Sequence, residues 1–255
     1  MEHKTKIIAI ANQKGGVGKT TTAVNLASCL ALAGKRILLI DIDPQANTTS
    51  FLGVSKGNTL PSIYEVLSGQ ATIAQAAAET QVENLLLVPS HQRLVGAEVE
   101  LVAAEHREYL LRASLQPIIG QYDYIYIDCP PSLNLLTINA LAASDSVLIP
   151  LQCEYFAMEG LGLLMNTIAR IRERLNPSLA IEGVLLTMYD TRLNLSRQVE
   201  TEVRKFFANK VYQTVINRNV RLSEAPSFGK PIVLYDMLSS GAENYIRLAK
   251  EVLAS

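Results

Sequence analysis

Short unbroken apolar runs alternate along the chain with longer segments whose apolar residues return every three or four positions. The short runs are Ile7–Ala11, Ile37–Ile40, Leu85–Val88, Tyr124–Ile127, Ser146–Ile149 and, interrupted by Glu182-Gly183, Ile181–Thr187, and each predicts a strand. The longer segments predict helices over Thr20–Ala33, Pro61–Leu67, Ile73–Ala78, Glu98–Ile119, Leu133–Ala143, Glu159–Leu175, Arg197–Phe207 and Gly241–Leu253. Gly34 closes the first helix as a C-terminal cap. The polar, glycine-containing stretch Thr48–Thr59 and the stretch Asn217–Lys230 read as loops.

Strands that are apolar throughout are buried on both faces. Their alternation with helices predicts an α/β fold, a mostly parallel twisted sheet with helices on both faces. One domain over residues 1–255 accommodates it. In such sheets ligands bind beyond the carboxyl ends of the strands. The polar clusters all fall there: Lys14 to Thr21, Asp41 to Asn47, Asp128 to Ser132, and Leu151-Gln152-Cys153-Glu154.

The 255 residues are 49% hydrophobic and 18% charged, with a net charge of −1, so no global basic signal points to nucleic acid. The excess is uneven. From Asp190 onward ten Lys/Arg stand against seven Asp/Glu, and the rest of the chain has 13 against 17. The three cysteines, Cys29, Cys129 and Cys153, are odd in number and widely spaced, which predicts reduced thiols in a cytoplasm. The start, Met1 to Lys6, is short and charged, and no leader or membrane span is expected.

The strongest chemical signal is Lys14-Gly15-Gly16-Val17-Gly18-Lys19-Thr20-Thr21, set between the first strand and the first helix. That context is the one a phosphate-binding loop requires, and it predicts a P-loop NTPase fold. Glycines turn backbone N–H groups inward, and the helix N-terminus adds its own. In this pattern Lys19 reaches the terminal phosphates and Thr20 offers its hydroxyl to Mg²⁺. The strict pattern has Gly where this chain has Gln13, and a second lysine, Lys14, opens the loop. The plainer reading is a glycine-rich structural turn. Asp128 closes a strand, the position of a Walker B carboxylate that orients Mg²⁺, though a strand-terminal Asp also serves as a simple cap. Pro130-Pro131 stiffens the exit from that strand. Asp41 and Asp43 sit two apart, which by strand periodicity turns them the same way.

Lys14 to Thr20 resembles the deviant Walker A loop of the ParA/MinD/nitrogenase-iron-protein class of P-loop ATPases. Asp41-Ile42-Asp43-Pro44-Gln45 resembles the Walker A′ motif of that class. Two further stretches, Ile149 to Gly160 and Asn219 to Ser227, resemble specifically the Soj-type chromosomal ParA proteins. The resemblance covers nearly the whole chain. It implies an ATPase that binds ATP and Mg²⁺, with Thr20, Asp41 and Asp128 about the metal and Asp43 positioning the attacking water. Lys14 would reach across a homodimer to the partner's nucleotide, sharing the catalytic work with Lys19 and Asp43. Residues 14–21 would cradle the phosphates. Asn217 and Asn219 would lie on the adenine, Asn217 departing from the proline usual there.

The resemblance also implies non-specific DNA binding in the ATP state, with Arg192, Arg218 and Arg221 as candidate contacts, against their being ordinary solvated charge. A ParB-type centromere-binding partner would stimulate hydrolysis, and the protein would be cytoplasmic and nucleoid-associated. Two relatives fit less well. The iron protein needs cluster-bridging cysteines, and Cys29 lies inside a predicted helix. MinD-like proteins end in a basic amphipathic membrane helix, whereas Glu243 to Ser255 is charge-balanced, so no stable membrane association is expected. The alternative from another class is a P-loop enzyme that uses ATP to modify a small molecule.

Overall fold

The computed structural model describes residues 5–54 and 61–254. Residues 1–4, 55–60 and 255 lie outside that description, and with them positions 55–59 of the expected Thr48–Thr59 loop. Seven strands form one sheet: β1 (Lys6–Ile10), β2 (Ile37–Asp41), β3 (Ala78–Glu79), β4 (Leu85–Val88), β5 (Tyr124–Asp128), β6 (Ser146–Gln152) and β7 (Ala180–Thr187). Their order is β3-β4-β2-β5-β1-β6-β7, all parallel except β3, which pairs antiparallel with β4. The α/β architecture expected from the pattern is the one observed.

Successive residues of a strand feed opposite cores, as the two-residue period requires. Ile7 and Ala9 join one apolar cluster while Ile8 and Ile10 join the other. The helices are α1 (Lys19–Leu32), α2 (Asn47–Phe51), α3 (Ile63–Leu67), α4 (Ile73–Ala76), α5 (Leu94–Glu100), α6 (Leu110–Leu115), α7 (Leu135–Ala143), α8 (Ala157–Arg174), α9 (Asn194–Phe207), α10 (Val220–Glu224), α11 (Ile232–Tyr235) and α12 (Ser240–Leu253). Helix α1 is sandwiched between the sheet and α12, and eleven of its fourteen residues are buried. Its polar residues are therefore spent internally. Asn25 accepts from the Ile232 amide at 2.7 Å and donates to the Thr21 carbonyl at 2.8 Å.

Four expectations need correction. The predicted Glu98–Ile119 helix is broken into α5, three short 3₁₀ turns and α6, because the backbone turns left-handed at His106, whose φ is 54°. Leu94 and Leu101 before the break and Leu111 and Leu115 after it can then all be buried. The Ala-rich helix stops at Ala76, and Ala78 opens β3. The Thr48–Thr59 stretch begins with helix α2. The loop from Asn217 contains α10, nucleated by Asn219, whose side chain accepts from the Arg221 amide at 2.8 Å.

One contact joins distant parts of the chain. Gly53, just past α2, and Gly229, at the end of the Ala225–Phe228 turn, both have positive φ (66° and 64°) and meet backbone to backbone. A Cβ on Gly229 would stand 3.1 Å from the Gly53 Cα. Gly229→Ala is therefore expected to combine left-handed strain with overpacking and to cost about 1–3 kcal/mol. Urea unfolding should show a lower midpoint with an unchanged slope, and a parental midpoint would show that the joint yields freely.

Candidate active site

The loops after β1, β2, β5 and β7 meet around one cavity of about 460 Å³, lined among others by Gly16, Lys19, Thr20, Asp43, Pro131, Met188 and Pro226. The loop between β1 and α1 forms its floor. Gly16 and Gly18 have φ of 74° and 88°, a backbone that bulky residues resist. A Cβ at Gly15 or Gly16 would meet nothing within 4 Å, so this side of the loop is open. The other side is braced. Thr187 donates to the Val17 carbonyl at 2.8 Å, and Asn12 accepts from the Lys14 amide while donating to the Pro150 carbonyl.

Lys19 is 7% exposed, and its ammonium donates to the Lys14 carbonyl at 2.9 Å. Burial lowers its pKa, and the neighbouring Asp128, Cys129 and Asp43 partly restore it. The Lys14 ammonium is ion-paired with Glu154 of the same chain.

Asp128 is fully buried. One carboxylate oxygen accepts from both Thr20 and Thr48 at 2.7 Å, and the other, Oδ1, is buried with no hydrogen-bond partner. Desolvation pushes its carboxyl up to about 6, against the pull of those hydroxyls. Leu38, Ile40 and Ile42 all belong to one apolar cluster, so Asp41 and Asp43 share the other side, both close to Asp128, but they lie at different depths. Asp41 turns inward, fully buried, and accepts from the Asp43 amide and from the amide and hydroxyl of Thr49. Burial and the nearby Asp128 raise it to about 8. Asp43 lines the cavity, held by Ser90 donating to its carbonyl at 2.6 Å.

The loop and Asp43 thus share one cavity, with Asp128 and Asp41 behind it. Asn217 and Asn219 are not in its wall. Asn217 donates its amide to Asn244, and its side-chain oxygen is buried without a partner. Asn219 is spent capping α10 and donating to Ser240. Met188 and Pro226 line the cavity on this side instead. Thr48 and Thr49 were hidden in a stretch that read as polar loop; the available signal was two small hydroxyls soon after an acidic strand end. Arg192, Arg218 and Arg221 lie in a separate region. Arg192 chelates Asp190, Arg221 pairs with Glu224 and Asp236, and Arg218 is exposed.

The buried carboxyls make stability pH-dependent in a defined direction. Asp128 holds its proton more tightly folded than unfolded. The folded chain therefore binds more protons between pH 3.8 and about 6, and stability present below that window is lost as pH rises through it. Asp128→Asn, whose oxygen can still accept from both threonines, should gain stability over the parent progressively across that window, in urea unfolding without nucleotide. A pH-independent difference would show an ordinary carboxyl.

Comparison with known proteins places this geometry. The AAA domain family profile matches residues 5–181. The sporulation initiation inhibitor protein Soj of Bacillus subtilis (strain 168) is 60% identical over 250 residues, 98% of this chain and 99% of that protein. A putative plasmid partition protein of Borrelia burgdorferi, solved with AMPPNP, superposes with a TM-score of 0.82 at 30% identity, over 98% of both chains. A cobyrinic acid a,c-diamide synthase of Mycobacterium smegmatis, solved with ADP and magnesium, gives a TM-score of 0.85 at 36% identity, over 98% of this chain and 94% of that one. With a phosphate-loop lysine, a buried strand-end aspartate and near full-length identity of this order, the chain belongs to the Soj/ParA family of chromosome-partitioning ATPases.

Proposed function

We propose that residues 1–255 act as one nucleotide-switched DNA-binding unit. It binds Mg·ATP, closes as a homodimer over two nucleotides, and in that state holds DNA without sequence preference. Hydrolysis, stimulated by a ParB-type centromere-binding protein, releases it in the cytoplasm beside the nucleoid. The observation that carries the reading is the single cavity shared by the Lys14–Thr21 loop and Asp43 and backed by Asp128, in a chain 60% identical to Soj.

Lys19 gives up its bond to the Lys14 carbonyl and donates to the terminal phosphates, where its buried charge is worth more than in water. The open face of Gly15 and Gly16 supports backbone N–H contacts to the same phosphates. Mg²⁺ supplies charge that neutralises the triphosphate. The unpartnered Oδ1 of Asp128 and the Thr20 hydroxyl beside it fit such an ion, directly or through water, whereas the saturated carboxylate of Asp41 supports it from behind. Asp43 accepts a proton from the attacking water and orients it. Lys14 must leave Glu154 to act across the dimer, so its charge arrives only on assembly.

The apolar face of α12 is already packed on α1, with Tyr245, Leu248 and Val252 buried, which supports the reading without a membrane anchor. Among the described residues no helix is long and apolar enough to cross a membrane. A second reading, ATP-driven modification of a small molecule, is favoured only by the cobyrinic acid a,c-diamide synthase likeness. Fold alone does not choose between them. Turnover that depends on a small acceptor and not on DNA or protein would favour it.

Lys19→Ala is expected to abolish ATP binding in calorimetry, and unchanged affinity would remove the loop from the phosphate site. Asp43→Ala should bind ATP and remain on DNA while phosphate release falls by at least about 100-fold, the scale of a lost positioning or base group. Parental turnover would leave the water with another partner.

A further inference from the structure

The turn Tyr189–Arg192, between β7 and α9, brings three arginines to one corner that holds one carboxylate, Asp190. Arg192 binds Asp190 through both side-chain nitrogens, at 2.9 and 2.7 Å, and through its amide at 3.0 Å. Arg197, from the first turn of α9, donates to the Thr191 carbonyl at 3.0 Å. Arg218 donates its backbone N–H to the Tyr189 carbonyl at 3.1 Å, and its charge is felt at Asp190. Among the described residues neither Arg197 nor Arg218 has a carboxylate partner within ion-pair distance. The next acidic side chain, Glu200, is occupied by the Tyr189 hydroxyl at 2.6 Å and by Arg204 at 2.9 Å. The corner therefore carries three positive charges against one negative.

We infer that at this corner, where the proposed DNA-binding reading already puts Arg192 and Arg218, Asp190 occupies the place of a DNA phosphate and Arg197 is a further contact residue. The inference rests on the proposed DNA-binding reading and deepens it. A carboxylate gripped by a guanidinium fork has the charge and the paired oxygens of a phosphodiester. Arg192 holds Asp190 ionised, down to about 2, so Asp190 competes at every physiological pH. The Arg192 side of the pair is open to solvent, 85% exposed, with Asp190 15% exposed beneath it, and water around the guanidinium keeps the competition weak enough for a polyanion to win. DNA then gains Arg192 by exchange, whereas Arg197 and Arg218 require no exchange. Asp190 lowers affinity without lowering the number of available cations. It is a built-in limit on how long the protein stays on DNA.

Removing the competitor is thus expected to strengthen binding, the opposite of what a merely structural ion pair gives. Asp190→Asn keeps the oxygen that accepts from the Arg192 amide, so the turn is retained, and circular dichroism checks the fold. The measurement is a salt titration of binding to two duplexes of unrelated sequence, with Mg·ATP, for the parent, Asp190→Asn, Arg197→Gln and Arg192→Ala. Asp190→Asn should bind both duplexes on the order of fivefold more tightly per protomer engaged. Arg197→Gln should weaken both alike and flatten the plot of log affinity against log salt by about one per protomer. If Arg192→Ala weakens binding while Asp190→Asn binds no better than the parent, or Arg197→Gln binds as well, the inference is overturned and the DNA reading stands. If the parent retains no DNA with ATP, both fall together.

Discussion

A single carboxylate at the middle of the sheet ties the active site together. One oxygen of Asp128 receives the hydroxyls of Thr20, at the head of α1, and Thr48, in α2. Asp41, in register beside it on β2, grips Thr49. The phosphate loop and the acidic loop after β2 are thereby fixed to the same point, although their sequences are some thirty residues apart. Hydrogen bonds to an ionised Asp128 are about twice as strong as neutral ones, and in a buried setting both sets of bonds leave little play. The shape of the cavity follows from them.

That arrangement is costly in the absence of an anion and a cation. Lys19, Asp41 and Asp128 are all buried, and burial moves each toward its neutral form. Stability surrendered at the site is recovered elsewhere, in the two apolar layers that clad the sheet and in α1, which is enclosed almost all round. A site of this kind is preorganised for charge, since its dipoles and ions are in place before a ligand brings its own.

The sequence made the scaffold readable because its strands are buried on both faces and its helices are long. Six of the seven strands and the long helices α1, α7, α8, α9 and α12 are legible from apolar spacing alone. What escaped was short or locally frustrated. Two-residue β3 has no period to detect, and α2 and α10 are single turns held by a buried carboxylate and an asparagine cap rather than by apolar spacing. The phosphate loop, Asp43 and Asp128 were legible because motif and strand end coincide. Asp41 was legible as a residue but not in its depth, which depends on Thr49 and Asp128 packing about it. The cavity wall at Met188 and Pro226 was not legible at all: it depends on how β7 and the Ala225–Phe228 turn approach the loop, a tertiary fact with no local signature.

The joint between Gly53 and Gly229 has a mechanical consequence. Helix α2 begins at the threonines that grip Asp128 and Asp41 and ends at this joint. On the far side, the Ala225–Phe228 turn carries Pro226 in the cavity wall and continues from the helix that bears Arg221. Two bare backbones in contact have no rotamers with which to absorb a push. Van der Waals contact is stiff under compression and feeble under tension. The Gln81 side chain donates to the Gly229 carbonyl at 3.0 Å, and Phe51 and Leu52 on one side of the joint share a buried apolar cluster with Leu222 and Ala225 on the other. The joint therefore behaves as a thrust bearing. Compression of the joint by α2 has no side chain to absorb it, so the load falls on the turn that continues from the arginine-bearing helix.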